Sequence, residues 1–296
     1  MSTVATSPPA TVAIAGGDSW ATKWNYRRIL RRPLAWFAWS VLVLLTLVLT
    51  IGPAVLSTDP LAQTAPAFQP IGTAGHLLGT DELGRDLLAR LIAGGQPLLL
   101  VCMGSAFASG LIGSALGILA GYVGGAVDAI VMRTMDILLA FPLVLVAILM
   151  VALLGGGTTN MIVAITVSQI PYFARLARNL TLAERGQDYI RSAKALGFRG
   201  PRIASREILP NISGQLLVQA TSTLAVTAGL SSALSYLGLG QDASAPDWGY
   251  MVRSGQEFIF AYPSLCLIPG LLITLFAVAA NLVGDDLRDA LDIEGR

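Results

Sequence analysis

Side chains able to do chemistry are few and scattered in this 296-residue sequence, and their spacing excludes most kinds of catalysis. The single histidine, His76, has no nucleophile and orienting acid in a recognisable pattern around it, and the carboxylates keep to polar loops. Neither lysine, Lys23 or Lys194, follows a glycine, so the GxxxxGK(S/T) loop that cradles phosphates is excluded. Ala93-Gly94-Gly95-Gln96 looks like a fragment of a nucleotide-hydrolase signature, but without a phosphate loop it reads as a turn before Pro97. The acidic residues between Asp81 and Asp86 lack the spacing of a calcium loop, and His76 reads as a surface histidine. Cys102 and Cys266 lie in apolar runs and read as small buried hydrophobes. No catalytic residue, metal or cofactor is expected in this chain.

One stretch does concentrate polar and charged residues: Asp188 to Asn211, DYIRSAKALGFRGPRIASREILPN. Asp188 can cap a short helix running to Leu196, which Gly197 ends. Gly200-Pro201 can start a second helix, and Pro210 can stop it. Small residues at Ser192, Ala193, Ala195 and Gly197 would let the first helix sit deep in a groove on another protein. Arg191, Lys194, Arg199, Arg202 and Arg206 would present charge to the groove's rim. The alternative is a basic loop that only fixes topology.

The elements around this stretch are apolar. With 54% hydrophobic and 12% charged residues and a mean hydropathy of +0.68, the chain reads as an all-α integral membrane protein. Its formal charge of +1 and the lack of a basic patch interleaved with aromatics argue against nucleic acid. A crossing needs about 20 apolar residues, and the charge-free intervals supply six. Residues 1–33 read as a cytoplasmic tail and 34–56 as the first transmembrane helix. Residues 57–97 form an external segment with a short amphipathic helix after Asp86, 98–285 a five-helix core, and 286–296 a cytoplasmic tail. Within the core, the second helix covers about Leu98 to Gly121. The third and fourth meet at the Gly155-Gly156-Gly157 turn, the fourth placing Arg175 and Arg178 at the interface by snorkelling. With both termini inside, sixteen of the nineteen basic residues are cytoplasmic, and only Arg85, Arg90 and Arg253 lie outside.

Two rows of small residues recur at four-residue spacing. In the second helix Ser105, Ser109, Gly113, Gly117 and Gly121 form a ridge that lets two backbones approach, which is how helices gain packing energy in lipid. In the fifth, Thr223, Thr227, Ser231 and Ser235 either line a hydrated translocation path or back-bond to carbonyls one turn earlier and face a neighbouring helix.

The Asp188–Asn211 stretch resembles the cytoplasmic "EAA" loop that couples the membrane subunits of bacterial ABC importers to their ATPases. Ser192 and Ala193 stand near the small-residue pair, Gly197 at the glycine, and Leu209-Pro210 at the end. Arg191 replaces the usual acidic residue, and Glu207 stands near a usually apolar place. Further stretches resemble the C-type permease subunit of dipeptide and oligopeptide importers, covering about residues 25 to 292. They are Gly79-Thr80-Asp81 with Gly84-Arg85-Asp86, Asp136 to Pro142, Ser235 to Gly240 followed by Pro246 and Trp248-Gly249, and Asn281 with Gly284-Asp285 to Asp292. The closing Ile293-Glu294-Gly295-Arg296 departs from that pattern and matches a protease recognition tag. The resemblance implies a type I importer permease fold in the plasma membrane, forming half of a peptide pore. It also implies partners: a related B-type permease, two cytoplasmic ATPase domains carrying ATP and magnesium, an extracytoplasmic peptide-binding protein, and membrane lipid. The coupling residues would be Arg191, Ser192, Ala193, Lys194, Gly197, Leu209 and Pro210. The competing readings are an ion-coupled secondary transporter, which usually buries an ionisable group near midplane, and a non-transporting scaffold.

Overall fold

A computed structural model describes residues 33–56, 58–240 and 245–291. The basic N-terminal tail and the tag-like C-terminus therefore lie outside the described residues. All regular structure among the described residues is helical, apart from three isolated β-bridges in the segment that follows the first helix. The helices are α1 (Pro33–Val55), α2 (Leu87–Val123), α3 (Gly125–Leu139), α4 (Leu143–Leu154), α5 (Thr158–Arg185), α6 (Asp188–Ala195), α7 (Gly200–Ile203), α8 (Leu209–Tyr236), α9 (Trp248–Gln256) and α10 (Ser264–Leu291).

Four spans are long and apolar enough to cross a bilayer: α1, α2, α10, and α7 running through α8. The α3–α4 pair would make a fifth, but it bends by 89° at Phe141-Pro142. Proline disfavours helical backbone in the residue before it, and α4 alone, at 12 residues, is too short to span. The continuous third helix expected from the sequence is thus two. The residues before Asp136 are helical from Gly125. Helix α5 is 28 residues long but more polar, and the reason is where it sits. It packs along α2 and touches α3, α4 and α8, and its Thr166, Ser168, Gln169 and Thr181 are buried within protein.

Helix α2 departs from expectation at its start. The segment after Asp86 is no separate amphipathic helix, because Asp86 caps a single 37-residue helix by accepting the Ala89 N–H at 2.7 Å. Gly94 and Gly95 make no turn. A Cβ on Gly95 would strike Leu49 at 2.4 Å and Trp248 at 2.7 Å, so the glycines open the helix surface to α1 and α9. Trp248 fills that space, fully buried, and donates its indole N–H to the Leu91 carbonyl at 2.7 Å.

At the other end of the chain α10 continues to Leu291, so residues 286–291 belong to the helix and not to a separate tail. Asp286 accepts the Trp39 indole N–H at 3.2 Å, tying the start of α1 to the end of α10.

Candidate functional site

The Asp188–Asn211 stretch folds as two helices with two different faces. Gln187 is the cap of α6, and Asp188 is its first residue, in a loose exposed pair with Arg191 at 3.3 Å. Asp188 therefore favours the helix dipole without capping. The C-terminus of α6 is closed by a Schellman motif, with Phe198 N–H on the Ala193 carbonyl at 3.1 Å and Gly197 N–H on Lys194 at 3.0 Å. Gly197 has φ +78°, which this motif requires and glycine supplies without strain.

Pro210 does not stop the second helix. Helix α7 passes through a π-turn at Ala204–Ile208 straight into α8, and the Leu209 N–H reaches back five residues to Ala204. The π-turn has a packing consequence. In a regular α-helix a step of five residues rotates by about 500°, roughly 140° past a full turn, which would put Ile203 and Ile208 on different faces. With the wider turn both point inward. Ile203, Ile208 and Ile212 bury fully with Ile190 and Ala193, against Ile118 and Tyr122 of α2.

That inner cluster corrects one assignment. Ala193 faces the chain's own core, not a partner, while Arg191, Ser192, Ala195, Leu196 and Gly197 are exposed, Leu196 at 74%. Lys194 lies with its Nζ 5.4 Å from the Tyr122 ring, against the body of the protein. Leu209 and Pro210 are exposed in the first turn of α8. The polar lock was not apparent in the sequence. The Tyr189 hydroxyl bonds Glu184 at the end of α5 and accepts the Asn211 amide at 2.8 Å, and Asn211 also reaches the Glu207 carbonyl at 2.8 Å. Burial and the Glu184 carboxylate push the Tyr189 phenol up to about 12, so it stays a neutral donor at any physiological pH. The loop is therefore tied to α5, α8 and α2 together, as a rigid extension of the bundle.

The bundle that carries it is held by the glycine ridge. A Cβ at Gly113 would meet Ile170 O at 2.7 Å, at Gly117 Ala174 O at 2.3 Å, and at Gly121 Arg178 O at 2.9 Å. Those are backbone atoms of α5, so α2 and α5 touch main chain to main chain. Arg175 and Arg178 have partners that the sequence reading did not give them. They pair with Asp136 and Asp128 of α3 at 2.5 Å each, pinning α3 along α5.

The hydroxyl row of α8 does not line an open path in this conformation. Thr223, Thr227, Ser231 and Ser235 are 0–3% exposed, because α8 is enclosed by α2, α5, α9 and α10. Thr223 back-bonds to Gln219 O at 2.8 Å, and Ser235 donates to Asp247 at 3.0 Å. Packing is the role their burial supports. Asp247 also caps α9 through the Gly249 and Tyr250 N–H groups, and burial pushes its carboxyl above the usual range.

The segment between α1 and α2 is a compact polar knot. Asp81 accepts from Arg85 Nε at 2.6 Å and lies 3.3 Å from Arg90 Nε, and all three side chains are at most 6% exposed. His76 is not free on the surface but bonds Asp86 at 2.7 Å. Gly79 and Gly84 have positive φ, and a Cβ on them would strike Gln69 O at 2.1 Å and Ala65 O at 2.0 Å. Cys102 is buried and Cys266 partly so, both as free thiols.

An all-helical bundle with several helices long and apolar enough to cross a bilayer is that of a multi-pass membrane protein. It belongs to the binding-protein-dependent transport system inner membrane component family, whose model matches residues 113–292. The chain is 40% identical to the di/tripeptide transport system permease protein of Pseudomonas aeruginosa, covering 81% of each. It is 34% identical to the dipeptide transport system permease protein of Alkalihalophilus pseudofirmus, over 97% of this chain and 93% of that one. With the glutathione transport system permease protein of Pectobacterium atrosepticum it shares 35% identity, over 96% and 95%. Its fold matches a chain of the inward-facing MetNI methionine ABC transporter with a TM-score of 0.56 at 22% identity, covering 69% of this chain and 97% of that chain. The chain is thus an inner-membrane transport permease and not an enzyme.

Proposed function

We propose that this chain is one half of the translocation pore of an ATP-driven importer of short peptides, and that its Asp188–Asn211 loop couples the pore to cytoplasmic ATPases. The observation that carries the reading is the loop's construction. Its inner isoleucines and the Tyr189 lock join it to three bundle helices, so a push on its outer tip moves the helices with it. The peptide cargo rests on the relatives, which are peptide permeases matched over most of their length. ATP and magnesium then belong to two partner ATPase domains. A related B-type permease completes the pore, and an extracytoplasmic peptide-binding protein delivers cargo. An ion-coupled transporter is disfavoured because the buried charged residues among those described, Asp81, Arg85, Asp86, Arg90, Asp247 and Asp286, lie in loops or near helix ends and not in the middle of an apolar span.

The test separates tip from scaffold. A Cβ on Gly197 meets nothing within 4 Å in this chain, so a side chain there intrudes only on a partner. Gly197→Asn, which tolerates positive φ, should leave cargo-stimulated ATP hydrolysis near wild type. Gly197→Asp, which visits positive φ as Asn does, should cut it to about a tenth by placing an unpaired charge in the contact. Equal stimulation in both variants would remove the coupling assignment.

Six crossings with both termini inside is the accompanying topology. A cysteine at Leu77, 71% exposed, should react with an impermeant thiol reagent from outside, and one at exposed Ser192 only after permeabilisation. The reverse pattern would invert the orientation.

A further inference from the structure

Helix α8 leaves the loop at Leu209 and ends at Tyr236, and at that far end three distant parts of the chain enclose a pocket of about 480 Å³. Glu82 comes from the segment between α1 and α2, and Gly238 follows the end of α8. Tyr250, Arg253 and Ser254 stand on α9, and Glu257 comes just after it. The volume is that of a small-molecule site, and most of these wall residues carry a charge or a hydroxyl.

The charges on the walls are not committed to one another. Arg253 and Glu257 stand four residues apart, where opposite charges on a helix can meet. Both are exposed, yet neither has an ion-pair partner among the described residues. Arg253 turns instead across the end of α8, its Nη1 only 2.6 Å from where a Cβ on Gly238 would stand. Gly238 has φ +83°, so a glycine there both closes the helix end and leaves room for the guanidinium. Glu82 is half-buried and gives its Oε1 to Arg85 at 3.1 Å.

Behind the pocket, Glu82 and Ser254 also wall a small void of about 10 Å³ together with Asp81 and Arg90, space for no more than one water. Arg90 is 1% exposed, and its Nε lies 3.3 Å from Asp81. Its Nη1 has no hydrogen-bond partner among the described residues. A buried donor left in that state costs stability until an acceptor reaches it, so a positive group stands behind the pocket as well as on its wall. An anion alone would face Glu82 and Glu257 here, and a cation alone would face Arg253. A ligand carrying both signs answers both walls.

We infer that this pocket receives a short unblocked peptide, its carboxylate on Arg253 with Arg90 behind it and its ammonium between Glu82 and Glu257. Phe258, packed on the Phe68 ring at 4.9 Å, offers an apolar wall to the peptide's side chains. That the occupant is a peptide rests on the importer reading above, in which this end of the bundle faces arriving cargo.

The test is binding of dialanine to the full-length chain in lipid nanodiscs, read by saturation-transfer NMR titration. Two blocked forms run beside it: the amide, which lacks the carboxylate, and the N-acetyl form, which lacks the ammonium. Wild type should bind dialanine about ten-fold more tightly than either, since each block removes one charge-assisted contact. Arg253→Gln should bring dialanine down to the level of the amide, and Glu257→Gln to that of the N-acetyl form. Both variants change exposed, unpaired side chains, so each should fold and still discriminate at the other end of the peptide. Equal binding of the three forms by wild type would overturn the proposal, as would selectivity that both variants keep. Alanine bound as tightly as dialanine would make this an amino-acid site and overturn it too. Uptake of labelled dialanine by the assembled transporter separates the pocket from the importer reading. Uptake without selective binding sinks the pocket alone, whereas selective binding that the variants lose, without uptake, upholds the pocket and removes the importer reading.

Discussion

Asp81→Ala is expected to lower the melting temperature in detergent by the order of 10 °C and to leave little folded protein in the membrane. Asp81 is 3% exposed and its carboxylate serves four groups at once. Its Oδ1 accepts the Leu83 and Arg85 N–H groups at 2.9 Å each. Its Oδ2 takes Arg85 Nε at 2.6 Å and lies 3.3 Å from Arg90 Nε, and its backbone carbonyl accepts the Phe68 N–H at 3.1 Å. Removing the carboxylate leaves two guanidiniums buried, at 5% and 1% exposure, with Glu82 the one other acid in ion-pair distance among the described residues, on Arg85 alone. Breaking a buried pair from one side costs about 3–5 kcal/mol, because the surviving charge stays desolvated. For a domain of this size about 1 kcal/mol corresponds to roughly 2–4 °C. Arg90→Met in the Asp81→Ala background should recover part of the loss, since it removes one orphaned charge and keeps the volume. A melting temperature within about 2 °C of wild type for the single variant would show that the knot is solvated and carries no such burden.

The sequence made some features legible and hid others for physical reasons. The all-helical class and the glycine spacing were legible because apolar composition and main-chain contact depend on residue type alone, as at Gly113, Gly117 and Gly121. The turn at Gly197 was legible for the same reason, since a positive φ favours glycine. The break at Phe141-Pro142 was written in the sequence as a proline, but whether a proline kinks or ends a helix depends on its neighbours. Pro97, Pro171 and Pro269 all lie inside continuous helices. Pro210 was the same problem in reverse, because a π-turn absorbs it.

Roles that depend on which way a residue faces were harder to read. Ala193 and Ser192 are adjacent and both small, yet one closes the inner cluster and the other is exposed. The hydroxyl row of α8 fits a water-facing and a packed role equally by spacing, and only its burial between four helices separates them. Arg175 and Arg178 found carboxylates 39 and 50 residues away, a pairing no local pattern announces. Tyr189 could be found only by the fold bringing Glu184 and Asn211 to one point.

Gly117→Leu should have an effect as large as that of Asp81→Ala, but through packing. A Cβ alone at this position would sit 2.3 Å from Ala174 O, 2.8 Å from Ala177 Cβ and 2.9 Å from Arg178 N. Two of these are backbone atoms of α5, which no rotamer change can move, so α2 and α5 must separate. Overpacking of a tight contact costs about 1–3 kcal/mol and more when the backbone has to shift. In lipid the lost contact is not replaced by any hydrophobic drive, because the tails are as apolar as leucine. The same displacement would carry Arg178 away from Asp128 and move Tyr122 under the loop, so transport should fall with stability. Gly229→Leu is the control: nothing lies within 4 Å of a Cβ there, and replacing glycine inside a helix favours the helix by up to about 1 kcal/mol. Thermal unfolding of the two variants in the same detergent should therefore diverge, with Gly117→Leu melting well below wild type and Gly229→Leu at or slightly above it. If the two melted together, α2 and α5 would not be in main-chain contact, and the rigid platform assigned to the loop would lose its foundation.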